Sequence, residues 1–344
     1  MPSEQFAVLM AGGRGERFWP LSRVARPKHL VPLPTGRSLL EEAFARLAPL
    51  FSPDRILVVT GADCAGEVRR RLPALPPQNL LAEPLGRDTA AAIGWAATEL
   101  VRRAPGTAFA AMPADHVVAD ADRFRGALAR ALERAHTGAL VTLGIPPRGP
   151  ETTWGYIERG EPRGPDCFAA ARFHEKPDAA VAASYVASGR FFWNAGIFAW
   201  RADRILEELR RHLPALADGL ARLGNGAAPT QVYPSLPRIS IDYAVLEKAD
   251  RVEVVAADFG LEDIGGWEAF ARRYLPDPQG PGALEARDCL VFSDAPDHLV
   301  ALLGVQNLVV VHTADATLVC PRSRVGELKR LVEELRRRGL ERYL

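Results

Sequence analysis

The 344-residue sequence predicts an α/β protein. The expected body, residues 1–275, is a mixed, mostly parallel sheet with flanking helices; a small β-rich module with a C-terminal helix is expected over residues 283–344. Three observations predict it. Short apolar runs alternate with longer helical patterns through the first half. Extended segments crowd together after about residue 151. A Pro/Gly-rich stretch at 275–284, LPDPQGPGAL, reads as a linker before the tail.

The runs FAVLMAG (6–12), RILVVTG (55–61), TAFAAMPADH (107–116) and ALVTLGI (139–145) have the continuous apolar character of strands buried on both faces. Between them, residues 38–51 read as a helix that opens with Ser38 and carries Glu41 three positions on, a capping box. Residues 88–103 read as a second helix with Asp88 as its N-cap. In the second half WGYIERG (154–160), AARFHEKP (170–177), FFWNAGIFAW (191–200) and VEVVAADFG (252–260) read as strands. Residues 177–188 and 240–249 read as helices. The tail offers the short runs CLVF, LVALLG, LVVVHT and ATLVC, then a charged helix at 323–339.

Composition narrows the function classes. A net charge of +1 gives no reason to expect nucleic acid or an acidic membrane surface. No apolar run is long enough to span a bilayer and no leader pattern opens the chain, so a cytoplasmic protein is expected. Cys64, Cys167, Cys289 and Cys320 are scattered without a CxxC pair, which favours buried thiols over disulfides or zinc. Lysine fills only four of the 43 basic positions, namely Lys28, Lys176, Lys248 and Lys329. In a chain that otherwise writes arginine, each retained ammonium is informative.

The first chemical signal is AGGRGERFWPLSRVARPKHL, residues 11–30. It follows a strand and is rich in glycine, yet Phe18 stands where a dinucleotide loop needs its third glycine, and no Gly-Lys-Ser/Thr closes a P-loop. Ala11, Gly12, Gly13 and Gly15 still let consecutive N–H groups converge on an anion, while Arg14, Arg17, Arg23, Arg26 and Lys28 concentrate charge. A polyphosphate fits; a solvated basic loop is the bland alternative. A carboxylate at the end of a buried parallel strand, Asp115, sits where α/β sheets place ligands, and magnesium takes hard oxygens. A second carboxylate is then expected far along the chain. Asp263 offers it, with Glu262 and Asp258 as competitors, and His116 reads as structural.

The same segment closely resembles the signature of the sugar-nucleotide pyrophosphorylases, and within them the mannose-1-phosphate guanylyltransferases. Gly-Gly-x-Gly-x-Arg belongs to the superfamily, while WPLSR followed by PK is more specific. LLAEPLGRDTAAAI (80–93), the Glu-Lys-Pro of residues 175–177, Gly155 with Tyr156, and Asn194 within FFWNAGIFAW match further motifs in order. The resemblance implies a Rossmann-like, GT-A-like nucleotidyltransferase domain and a β-helix-like tail. It implies transfer of GMP from GTP to α-D-mannose 1-phosphate, giving GDP-mannose and pyrophosphate.

Residue roles follow by the same resemblance. Arg17, Lys28 and Lys176 would be catalytic. Ala11, Gly12, Gly13, Gly15, Glu83, Pro84, Arg87, Asp88 and Thr89 would bind nucleotide. Gly155, Tyr156, Glu175 and Asn194 would bind the sugar, and Asp115 and Asp263 would hold Mg2+. No nucleic-acid or membrane partner is expected, and a homodimer is the assembly considered. Two rivals stay open: a pyrophosphorylase for another hexose 1-phosphate or nucleotide, and a non-catalytic regulatory protein that binds nucleotide sugars.

Overall fold

The computed structural model describes residues 5–13, 15–275, 277, 279–295 and 297–344. In chain order its first strands are β1 (Gln5–Ala11), β2 (Ile56–Gly61), β3 (Leu80–Glu83), β4 (Ala108–Pro113), β5 (His116–Val118), β6 (Leu140–Ile145), β7 (Tyr156–Gly164), β8 (Cys167–His174), β9 (Phe191–Arg201), β10 (Val252–Ala256) and β11 (Leu261–Asp263). Nine of them form one sheet in the order β3-β2-β1-β4-β9-β6-β10-β8-β7, and β11 pairs with β5 in a separate ribbon. The strands β3, β2, β1 and β4 run parallel, as do β6 and β10. β9 enters antiparallel between β4 and β6, so its beginning lies at the edge where the parallel strands end.

The helices are α1 (Leu39–Leu47), α2 (Ala65–Arg71), α3 (Asp88–Arg103), α4 (Ala121–His136), α5 (Ala179–Ser188), α6 (Ala202–His212), α7 (Pro214–Gly224), α8 (Pro229–Val232), α9 (Trp267–Tyr274) and α10 (Leu328–Arg337). Strand alternation divides the core between the two faces of the sheet. In β1, Ala7, Leu9 and Ala11 join α1 and α4 on one side, while Phe6 and Val8 join α3, α6 and α7 on the other. The capping box at α1 is present: Ser38 Oγ accepts from the Glu41 N–H at 3.3 Å and Glu41 Oε2 accepts from the Ser38 N–H at 2.8 Å. Such a cap contributes about 1 kcal/mol.

Residues beyond 280 add β12 (Gly282–Leu284), β13 (Leu290–Ser293), β14 (Ala301–Leu303), β15 (Leu308–His312) and β16 (Thr317–Pro321). They form two short sheets, β12-β14 and β13-β15-β16, capped by α10. A third apolar cluster joins this module to the rest. It contains Phe18, Trp19, Leu21, Ile264, Trp267, Phe270, Val309, Val311, Leu318, Leu328 and Val332.

Four expectations need correction. Asp88 is not the N-cap of its helix: α3 begins at Asp88, Arg87 holds the cap position without a side-chain bond, and Asp88 Oδ1 accepts from the adjacent Thr89 N–H at 2.7 Å. Residues 240–249 do not form an α-helix. They make one π-type turn, Asp242–Leu246, in which the Asp242 carboxylate accepts from Asn194 Nδ2 at 2.8 Å, a long-range contact that no local helical pattern encodes. The stretch at 275–284 ends in strand β12, whose Gly282–Leu284 pair with Ala301–Leu303; its Pro276 and Pro278 lie outside the described residues. The charged tail helix opens with a tighter 3-10 segment, Arg322–Glu327.

Candidate functional site

The loop after β1 is shaped around one lysine. Gly15 has φ +64°, a left-handed conformation, and a Cβ there would lie 2.5 Å from Lys28 Cβ and 2.8 Å from the Lys28 nitrogen. The glycine is therefore required twice, by its torsion and by the close approach. A one-turn 3-10 helix, Glu16–Phe18, leaves Arg17 exposed while Phe18, Trp19 and Leu21 are buried beneath it. Arg14 lies outside the described residues.

Lys28 is buried, and its ammonium meets two carboxylates. Nζ donates to Asp115 Oδ2 at 2.8 Å and to Asp263 Oδ1 at 3.0 Å. The ribbon of β5 and β11 explains how two aspartates almost 150 residues apart in sequence come together, because Asp263 pairs directly with His116. A Cβ at Gly265 would lie 3.6 Å from Asp263 Oδ2 and 3.7 Å from Arg17 Nη1, so Arg17 reaches the same turn. Asp258 instead pairs with Arg148 at 2.9 Å, and Glu262 faces Arg273 at 4.0 Å.

The electrostatics follow from this cluster. Burial works against the Lys28 ammonium, but Asp115 and Asp263 outweigh it and raise its pKa above the ordinary value. Burial likewise pushes Asp115 up, yet Lys28 holds its carboxyl down at about 2. His29 is driven down to about 4 by burial and is neutral at pH 7. The His116 pKa is lowered by burial too, and among the described residues its buried Nδ1 has no hydrogen-bond partner. Among the described residues no group of three or more His, Cys, Asp or Glu converges on a point. Asp115 and Asp263 are two hard oxygen donors brought together, and such a pair could hold a divalent cation.

A second group lies at the end of β3. Burial pushes the Glu83 carboxyl up to about 7, with Asp88 adding to the rise. The Arg87 guanidinium donates from Nε to the Tyr233 carbonyl at 2.9 Å and from Nη2 to that of Pro234. Thr89 Oγ1 accepts from the Ile241 N–H at 2.9 Å, and the Ala90 N–H reaches the Ile239 carbonyl at 3.3 Å. The start of α3 therefore addresses a carbonyl of its own chain. Asp88 takes φ +68°, a strained torsion for a residue with a Cβ.

The third group lines a shallow recess formed by Gly155, Tyr156, Phe173, His174, Glu175, Asn194, Asp242 and Glu247. A Cβ on Gly155 would lie 2.5 Å from Glu175 Oε2, so glycine makes room for that carboxylate. The Lys176 ammonium pairs with Glu175 Oε1 and is largely exposed. Asn194 Nδ2 donates to Asp242 Oδ1 at 2.8 Å, and its Oδ1 accepts from Thr142 Oγ1 at 3.2 Å and from the Gly196 N–H at 3.2 Å. The amide is thereby fixed in one orientation. Trp154 stacks on Trp193 with centroids 5.5 Å apart, and Trp19, Trp193 and Trp267 are buried, in keeping with core and pocket-wall roles.

Sequence reasoning missed Asp242. It was hidden in an apparent helix; the available signal was a carboxylate in an otherwise apolar run. Burial lifts its carboxyl to about 6, with Asn194 opposing the shift. Thr142, Tyr233 and Glu247 were missed for the same reason: only the fold brings them to these groups.

Comparisons with known proteins accord with this geometry. A family model described as nucleotidyl transferase matches residues 6–274, and one described as MannoseP isomerase/GMP-like beta-helix domain matches 283–335. The chain is 38% identical over 350 residues to the xanthan biosynthesis protein XanB of Xanthomonas campestris pv. campestris (strain B100), covering 98% of this chain and 74% of that one. It is 35% identical over 357 residues to the mannose-1-phosphate guanylyltransferase of Escherichia coli (strain K12), with the same coverages. A solved structure from Thermus thermophilus, described as mannose-1-phosphate geranyltransferase, superposes with a TM-score of 0.86 at 42% identity, over 96% of this chain and 99% of that one.

Proposed function

The chain belongs to the nucleotidyl transferase family, in its mannose-1-phosphate guanylyltransferase branch, and from that membership we propose that it makes GDP-mannose and pyrophosphate from GTP and α-D-mannose 1-phosphate. The observation that carries the reading is the Lys28 ammonium shared by Asp115 and Asp263 directly under the glycine loop. The sugar phosphate is already an anion at neutral pH, so no general base is needed for its oxygen to attack the α-phosphorus. The task is to bring two polyanions together and to stabilise the charge that moves to the leaving pyrophosphate.

In this reading the N–H groups of Ala11, Gly12, Gly13 and Gly15 wrap the triphosphate, and Arg17 and Lys28 offset its charge. Glu83, Pro84, Arg87, Asp88 and Thr89 form the ledge for ribose and base. Glu175 and Asn194 accept and donate to the hexose hydroxyls beside Gly155 and Tyr156, and Lys176 holds the sugar phosphate. Members of the family generally use a divalent metal ion. Asp115 and Asp263 would hold it here, with Mg2+ as the ion their oxygen donors suit; when bound it offsets phosphate charge. Lys28 keeps the two carboxylates paired and can turn its ammonium to phosphate when they bind another cation.

No helix among the described residues is long and apolar enough to cross a membrane. The test of the reaction is pyrophosphate release from GTP, ATP, UTP and dTTP, each with mannose 1-phosphate and glucose 1-phosphate. The proposal requires the GTP and mannose pair to dominate; release from UTP or dTTP with glucose 1-phosphate instead would sink it.

A further inference from the structure

The loop that shapes the Lys28 site rests on residues from the far end of the chain. Trp19 Nε1 donates to the Tyr343 carbonyl at 2.8 Å. Arg23 Nη2 donates to Asp315 Oδ1 at 2.7 Å, and Asp315 lies in the turn between β15 and β16. Arg336 on α10 reaches Glu16, the residue before Arg17, at 3.5 Å. Trp267, at the start of α9 just after the Asp263 turn, donates from Nε1 to the Trp19 carbonyl at 3.2 Å. Below these polar ties, Phe18, Trp19 and Leu21 share one apolar cluster with Val309, Val311, Leu318, Leu328 and Val332. The recess around Asn194, by contrast, takes all its lining from residues 155–247.

We infer that the C-terminal module positions the triphosphate loop, with Arg23, Asp315 and Trp19 as positioning residues for the nucleotide and not for the sugar phosphate. The inference rests on the reading of that loop as the triphosphate site. Its physical basis is preorganisation. The loop N–H groups and Arg17 stabilise charge only if held in place before the substrate arrives, and among the described residues Gly12, Gly13, Gly15, Glu16 and Arg17 belong to no strand or α-helix that would hold them. The Arg23 side chain is only 13% exposed while that of Asp315 is 52% exposed, so the aspartate can be changed at the surface without opening the core.

The experiment compares the parent chain with Asp315→Arg, with Arg23→Asp, and with the double reversal, under steady-state kinetics and by equilibrium binding of GTP. Asp315→Arg places like charges together and should raise KM for GTP about fivefold or more while KM for mannose 1-phosphate changes less than about twofold. The double reversal should recover at least half of that loss. Trp19→Phe keeps an aromatic ring in the cluster while removing the N–H donor and part of the indole's packing, so it should shift KM for GTP in the same direction by a smaller factor. Equal effects on both KM values, no effect of Asp315→Arg, or no recovery in the double variant would each overturn the inference. If the parent chain releases no pyrophosphate, the proposed reaction fails; GTP affinity across the same variants still decides the positioning role.

Discussion

The loop around Lys28 and the recess around Asn194 lie at the same edge of one sheet, yet they are held in different ways. The recess is built on regular structure. Asn194 sits on β9, paired with Gly144 of β6, and its amide is fixed by Asp242, Thr142 and the Gly196 N–H. The described residues of the loop belong to no strand of that sheet. It is held by a glycine pressed against Lys28 and by an apolar cluster that includes residues three hundred positions later. The difference teaches that a site can owe one half to its sheet and the other half to a separate module. The half with more charge to handle is the one that relies on distant residues.

The largest expected effect tests whether the loop half carries the charge chemistry at all. Asp115→Asn and Asp263→Asn should each lower kcat by about a hundredfold to a thousandfold, with a fall in melting temperature, since the buried Lys28 ammonium loses one of its two counter-charges, but with the fold retained by circular dichroism. Pyrophosphate release over a magnesium titration measures it, and retained magnesium-dependent turnover in both variants would remove the two aspartates from the centre.

Two glycine substitutions set the halves directly against each other. Gly15→Ala forces a Cβ into a left-handed torsion and against the Lys28 backbone, which cannot yield cheaply. We expect kcat/KM for GTP to fall about tenfold to a hundredfold, from a cost of about 1–3 kcal/mol. Gly155→Ala meets only the tip of the Glu175 carboxylate, which can rotate aside. It should raise KM for mannose 1-phosphate by up to about tenfold and leave KM for GTP nearly unchanged. If Gly155→Ala moved both KM values together, the two halves would not be separable.

The smallest effect is a pH dependence confined to the recess. Asp242 titrates near 6 in the fold against an ordinary 3.8, so the folded state binds the extra proton between those values. Its contribution therefore favours folding at low pH and is lost as the pH rises from about 4 to about 6. Asp242→Asn keeps an oxygen for the Asn194 amide but has no charge to bury. Its melting temperature minus that of the parent should grow more positive from pH 4 to pH 7, an effect of order 1 kcal/mol. A difference that stays flat across this range would remove the buried charge.

Much of this was legible in the chain itself. Continuous apolar runs gave β1, β2, β4 and β6, because strands covered on both faces leave no polar alternation to misread. The capping box at Ser38 and Glu41 was legible because it is satisfied within four residues. Asp178 caps α5 in the same local way, accepting from the Val181 N–H at 2.8 Å. The π turn was not legible, since Asp242 is held there by Asn194, 48 residues earlier. The internal partners of Arg87 and Thr89 could not be read either, since they lie at Tyr233, Pro234 and Ile241.

Composition and periodicity by themselves predicted an α/β body with a β-rich tail, and the resemblance of its motifs to a known family picked out Lys28, Asp115 and Asp263 as separate candidates. Local sequence can do this because strand burial, helix caps and glycine turns are decided within a few residues. Only the tertiary structure decided that one ammonium serves both aspartates, that Asp242 fixes Asn194, and that the tail packs beneath the glycine loop. Those contacts join residues from 48 to more than 300 positions apart, and no local preference encodes a distance of that kind.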